Sequence, residues 1–246
     1  MNRLIPQTLA EKWDNIGLQI ANENIRIRRV LITLDMTEKV FQYARSLRFD
    51  AVLSHHPVIF KPVSRLLCFK NKKHHLIRDL LSSNIALIVL HTNLDKYLFQ
   101  ALSRKLGLTR IKPLSADGFG SYGFLKKTLS LKAFLRLVKK KLKINHVTYT
   151  GKEDRTVRCV AALGGSGASL LESSLKEKKI DVLITSDVKY HSGQLAEETG
   201  VSVIQASHYD TEKVMLPELK KLLEKKFKDH IYFELNTINT DPFKYN

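Results

Sequence analysis

The chain has 246 residues, and 41 Lys and Arg against 24 Asp and Glu give a formal charge of +17 at pH 7. A hydrophobic content of 43% is enough to bury a core and excludes a mainly disordered chain. The longest clean apolar run, Ile85 to Leu90, is far short of the roughly 20 residues that a membrane-spanning helix needs. The opening MNRLIPQTLAEKWD brings in Glu11, Lys12 and Asp14 too early for a secretory signal. Cys68 and Cys159 lie far apart, so a disulfide framework is not expected and a reducing cytoplasm is the expected home.

The basic charge invites a nucleic-acid reading, since lysine and arginine neutralise phosphates and release counterions. Two features favour a solvated surface instead. Lysines outnumber arginines by about two to one, whereas bidentate recognition of phosphate and guanine favours arginine. The lysines also recur at helical spacing beside apolar residues, as in LKAFLRLVKKKLK and LPELKKLLEKKFKDH, the pattern of amphipathic helices. Nucleic acid is therefore possible as a partner but not favoured, and no membrane contact is expected.

In chain order, RVLITL (29–34) reads as a buried strand, 37–47 as a helix and DAVLS (50–54) as a strand. Helix 76–83, strand 85–90 and helix 97–106 follow. After Lys112 the composition shifts: PLSADGFGSYGF holds three glycines, a proline and two serines, marking a loop or a bulged strand. The rest reads as helix 131–142, strand 146–149, strand 157–163, helix 168–178 and strand 182–185. Helix 192–199, strand 201–205, helix 213–227 and strand 231–235 complete it. Such alternation predicts an α/β fold of two interlinked lobes, with mixed sheets flanked by helices. The expected division assigns 1–112 and 206–246 to the first lobe, with most of the metal ligands, and 113–205 to the second.

Candidate chemistry gathers at strand ends. SHHP places His55 and His56 at the carboxyl end of a strand, the edge where open α/β sheets bind ligands. Adjacent rings on extended chain diverge, so they suit two ions better than one. His74 and His75 open a lysine-rich amphipathic helix and read as surface groups. HTNLD supplies His91, Asn93 and Asp95; Asp95 offers an oxygen ligand, while His91 and Asn93 can orient neighbours, or the segment can simply cap the next helix. SHYDTE places His208 and Glu212 four residues apart, able to face one point, with Asp210 or Thr211 as the expected N-cap. His55, His56, Asp95, His208 and Glu212 together suit two divalent ions bridged by a carboxylate, and imidazole favours zinc, iron or nickel, with manganese admitted by the carboxylates. GGSGAS (164–169) reads as a tight turn, lacking the lysine of a phosphate loop. Asp187 and His191 of SDVKYH are acid–base candidates or helix caps, with His191 preferred for its ordinary pKa.

EKWDNIGLQ, SHHPVIFKP, HTNLD, LGGSGAS, TSDVKYH and SHYDTE stand in the order found in a known family. The chain resembles the GTP cyclohydrolase 1 type 2 homologues, also called Nif-three-like proteins, over nearly its whole length. The resemblance implies a two-lobed α/β fold, a dinuclear metal centre and a ring-shaped homohexamer. It implies that His56 and Asp95 hold one ion, that His55 and His208 hold the other, and that Glu212 bridges both. Where relatives have a glycine-containing loop after TNLD, this chain runs DKYLFQAL into a helix, and it lacks the large inserted domain of longer relatives. The expected function is a metal-dependent hydrolase of a nucleotide or cyclic amide, with His191 or His91 moving protons. The alternative is a non-catalytic metal-binding scaffold or regulatory protein, associated or not with nucleic acid.

Overall fold

The computed structural model describes residues 3–23, 25–169 and 180–244. They form a mixed α/β protein with two mixed sheets, divided into two compact units. The first takes in Met1–Tyr97 and Leu216–Thr240, the second Leu98–Met215 and Asp241–Asn246. The boundaries therefore fall after Tyr97 and Met215 rather than after 112 and 205. The strand at 109–113 pairs within the second sheet, which draws its chain into that unit, and His208 and Glu212 go with it.

The first unit is built on strands β1 (Gly17–Ile20), β2 (Arg29–Thr33), β3 (Ala51–Ser54), β4 (Ala86–Val89) and β11 (Tyr232–Leu235), in the order β1-β4-β3-β2-β11. β11, β2, β3 and β4 run parallel, and β1 is antiparallel at the edge. The central strands β2, β3 and β4 are almost continuously buried, as a sheet covered on both faces requires. Helices α1 (Glu38–Ser46) and α2 (Lys72–Ser82) pack Val40, Phe41, Ala44, Leu76, Ile77 and Leu80 into its core. Thr37 caps α1 by accepting from Val40 N, and Asn71 caps α2, which starts four residues before the expected position because Asn71 accepts from Lys73 N. The register pairs Thr33 with Ser54 and Ser54 with Val89. The strands end level, so the segments after Ser54 and Val89 leave the sheet at one edge.

The second unit orders its strands β5-β6-β8-β9-β10-β7: β5 (Thr109–Pro113), β6 (Ser121–Ser130), β7 (Thr148–Tyr149), β8 (Thr156–Ser166), β9 (Val182–Ser186) and β10 (Ser202–Gln205). β8, β9 and β10 are parallel; β5, β6 and β7 are antiparallel additions. The glycine-rich stretch after Lys112 thus joins two antiparallel strands whose pairings carry register shifts, and β8 runs on through Gly164 and Gly165. Helix α5 (Leu131–Leu142) matches its expected span, with Ser130 as N-cap and Phe134, Leu135, Val138 and Leu142 buried. The helix expected over 97–106 starts only at α4 (Ala101–Leu106); a further helix, α3 (Thr92–Tyr97), precedes it across a turn at 98–100. α6 (Tyr190–Thr199), α7 (His208–Glu212) and α8 (Leu216–Phe227), the last in the first unit, complete the helices of more than one turn. The expected helix at 168–178 lies, after Ser169, outside the described residues. No helix among the described residues is long and apolar enough to cross a membrane.

Cys159 is buried in β8, and burial, with a smaller contribution from Asp181, pushes its thiol up to about 11. Thiol reagents attack the thiolate. At about pH 8 a maleimide is therefore expected to modify half-buried Cys68 in the native protein and Cys159 only after unfolding. Mass spectrometry of the native and urea-unfolded protein checks this.

Candidate metal centre

In the first unit, the level ends of β3 and β4 bring three imidazoles together. His55 and His56 follow β3, and His91 stands immediately before α3. One ring nitrogen from each lies within 4.8 Å of the others, and the ring centroids are 4.8, 5.1 and 5.7 Å apart. Nδ1–H of each ring is engaged from behind. That of His55 donates to the Leu90 carbonyl at 2.9 Å, that of His56 to Asp35 Oδ1 at 2.8 Å, and that of His91 to Asp14 Oδ1 at 2.9 Å. A carbonyl or ionised carboxylate can only accept, so Nδ1 carries the proton and Nε2 is left as the nitrogen that can hold a metal. Asp95, in the first turn of α3, brings its Oδ1 to 3.5 Å from His55 Nε2.

Asp14 is the anchor of this arrangement. Its side chain is fully buried and accepts from His91 Nδ1, from Asn15 N, and from both the amide and hydroxyl of Thr92. Burial alone would raise its pKa; the hydrogen bonds from His91 and Thr92 outweigh it and bring the carboxyl down to about 2. Asn93, fully buried, accepts from His91 N through Oδ1. Beside His56 lies a cavity of about 780 Å³ whose wall includes Asp35, Thr37, Lys72, Lys73 and His75.

The second unit carries a pair of its own. On α7, His208 Nε2 lies 2.9 Å from Glu212 Oε1, and His208 Nδ1 donates to Asp187 Oδ2 at 2.6 Å. Hydrogen bonding and charge from Glu212, then Asp187, overcome the opposing effect of burial and raise His208 to about 9. An ion held by this pair would take the place of the Nε2 proton. Ser207, not Asp210 or Thr211, caps α7, accepting from Asp210 N.

Glu212 occupies room left by Gly165 at the end of β8. Gly165 has φ +71°, and a Cβ there would lie 2.2 Å from Glu212 Oε1 and 3.2 Å from His208 Nε2. Gly165 N donates to Thr211 Oγ1, and its carbonyl accepts from Thr185 Oγ1, which in turn accepts from Gly167 N. Gly164–Ser166 are thus the end of β8 and not the expected tight turn, which is confined to 168–169, and the space at Gly165 is left for the carboxylate. Each unit by itself thus offers donors suited to divalent transition ions: backed imidazole nitrogens with Asp95 in the first, and His208 with the buried Glu212 in the second.

The sequence matches the family described as Duf34/NIF3 (NGG1p interacting factor 3) over residues 1–242. The chain belongs to this family. A Methanocaldococcus jannaschii relative named GTP cyclohydrolase 1 type 2 homolog is 35% identical over 224 residues, covering 89% of either chain. A Helicobacter pylori protein named GTP cyclohydrolase 1 type 2 is 32% identical over 218 residues, or 87% of this chain and 84% of that one. The solved structure of a hypothetical protein of Staphylococcus aureus superposes with a TM-score of 0.92 at 30% identity, over 100% of this chain and 96% of the other. The resemblance drawn from the motifs and the α/β fold are thereby established.

Among the residues singled out in the sequence, His55, His56, His91 and Asp95 converge in the first unit, and His208 and Glu212 in the second. His191 is exposed at the start of α6, its Nδ1 donating to Gln194 Oε1 and its ring edge-on to Tyr190. The SDVKYH residue that reaches His208 is Asp187. Sequence reasoning missed the backing carboxylates Asp14 and Asp35, which lie 77 and 21 residues from their histidines and carry no local signal. It also missed Gly165 as a spacer.

Gly165→Ala is expected to displace Glu212 and to cost about 1–3 kcal/mol, as a β-carbon is forced into a left-handed position. Urea unfolding checks the cost, and a crystal structure of the variant checks the displacement.

Proposed function

We propose that this protein is a metal-dependent hydrolase acting on a nucleotide or related cyclic amide, with two divalent ions held by His55, His56, Asp95, His208 and Glu212. The assignment follows the family resemblance: His56 and Asp95 for one ion, His55 and His208 for the other, Glu212 for both. The observation that carries it is the common backing of the histidines. Each directs Nε2 away from an acceptor on Nδ1, the arrangement of metal-ligating histidine and not of a solvated surface ring. The names of the Helicobacter pylori and Methanocaldococcus jannaschii relatives support the substrate class. Zinc, iron, manganese and nickel all suit the donors. The same reading carries a cytoplasmic homohexamer.

When bound, such ions supply Lewis-acid polarisation of the bond under attack and a more acidic water at neutral pH. The chain's own part is proton handling and orientation. Asp14 holds the Nδ1 proton of His91, so His91 takes up and returns a proton at Nε2, and Asp14 stabilises the imidazolium while the proton is there. His191 has no such carboxylate in the hydrogen bond that orients it and is left outside the reaction in this reading.

Elemental analysis of the purified protein is expected to find close to two divalent transition ions per chain. Glu212→Gln should weaken both sites, because a neutral amide bridges poorly, while Asp95→Asn should weaken one. Calorimetric titration of zinc into the stripped variants checks this; equal single-site losses would overturn the bridging role.

For catalysis, His91→Gln should keep its metal and lose about 10²–10⁴-fold in turnover, the usual weight of a general acid–base group. His191→Gln should change turnover little. A hydrolase screen over nucleotides and cyclic amides, followed by steady-state kinetics on both variants, decides between them; no turnover of any compound by metal-replete protein would leave the metal-binding scaffold.

A further inference from the structure

We propose that Trp13 and Phe60 form a stacking platform that receives a planar heterocyclic ring of the substrate beside His91; this rests on the small-molecule reading above. Both rings are large and apolar, yet 59% and 42% exposed. Their centroids are 5.9 Å apart with the planes inclined at 53°. Trp13 also meets His91 edge-on, at 6.3 Å and 75°, so the exposed pair is continuous with the imidazole cluster.

The exposure is held in place. Next to Trp13, Asp14 is locked to His91 and Thr92. Next to Phe60, Ile59 is gripped on both backbone groups: its carbonyl accepts from the side-chain amides of Asn15 and Gln19, and its N–H donates to Gln19 Oε1. The two aromatic residues are thus tied to each other through chain neighbours, and little ordering remains to oppose a ligand. Aromatic faces accept any flat π-system by stacking. A ring seated here would lie beside the His91 imidazole. Contact with the imidazole cluster selects a small planar ligand over the other candidate occupant, an aromatic contact from a second copy of the chain.

Trp13 is the only tryptophan, so its emission reports this position alone. Zinc-loaded protein is titrated with guanosine, and separately with inorganic triphosphate, which has no ring. Guanosine is expected to quench Trp13 emission saturably, and triphosphate to leave it unchanged. Trp13→Ala and Phe60→Ala should each bind guanosine about tenfold more weakly by calorimetry, with zinc content and size in solution unchanged, and Trp13→Phe should retain most of the affinity. Unchanged emission with no binding heat, or equal affinity in Trp13→Ala, would overturn the platform. So would a change of oligomer size in Trp13→Ala, because the pair would then be a subunit contact. Guanosine that stacks while no compound is turned over would sink the hydrolase reading alone; turnover confined to substrates without a ring would sink the platform alone.

Discussion

A buried carboxylate that accepts hydrogen bonds from groups 77 and 78 residues away holds the first unit's site together. Asp14 pays the desolvation penalty of a fully buried charge and offsets it with hydrogen bonds from His91, Asn15 and Thr92. Three things follow from that one side chain. The amino-terminal segment is pinned to the end of β4. The first-turn amide of α3 gains an anionic acceptor, which favours helix initiation and with it the position of Asp95. His91 is fixed in one tautomer and one orientation. A neutral amide at position 14 could satisfy some of these donors, but it could not stabilise a charged His91.

The second unit solves the same problem with backbone instead of charge. Glu212 sits where Gly165 leaves room for it, and Gly165 can stay at positive φ because two buried threonine hydroxyls hold the loop, Thr211 through the Gly165 amide and Thr185 through its carbonyl. Since Thr211 and Glu212 are adjacent on α7, the strand end that makes the space and the helix that fills it are locked in register. A side chain at 165 would have to move the ligand, the helix or the strand end. The glycine is thus required by close approach as much as by its dihedral angle.

The sequence made the local part of this visible and hid the rest. SHHP at the end of an apolar strand located His55 and His56, because a buried parallel strand is a recognisable run and its end is where polar groups first appear. His208 and Glu212 were legible from their spacing on one helix. Asp210 or Thr211 was expected to cap the helix after them, but both lie inside α7, whose start is signalled by Ser207 with Asp210 three residues on, close to a capping-box pattern. The break between α3 and α4 could not be read, since no glycine or proline interrupts TNLDKYLFQALSRKL and the helical period runs through it. Asp14 was invisible for a different reason. A lone aspartate after a tryptophan has no spacing to interpret, and its role comes from tertiary contacts alone.

The +17 charge can now be weighed against this local chemistry. Part of it lies on the wet faces of α5 and α8: Lys140 and Lys141 are exposed, as are Lys221, Lys225 and Lys226, while Leu142 and Leu223 beside them are buried. Such charges attract anions collectively, but at physiological ionic strength the field decays over about 8 Å. It can raise the encounter rate of an anionic substrate; it cannot tell one anion from another or orient the bond to be broken. Discrimination must come from groups held within contact distance of the substrate. In the first unit the groups held in that way are the imidazoles backed by Asp14, Asp35 and Leu90, together with the aromatic pair that Asp14 and Ile59 fix at their side.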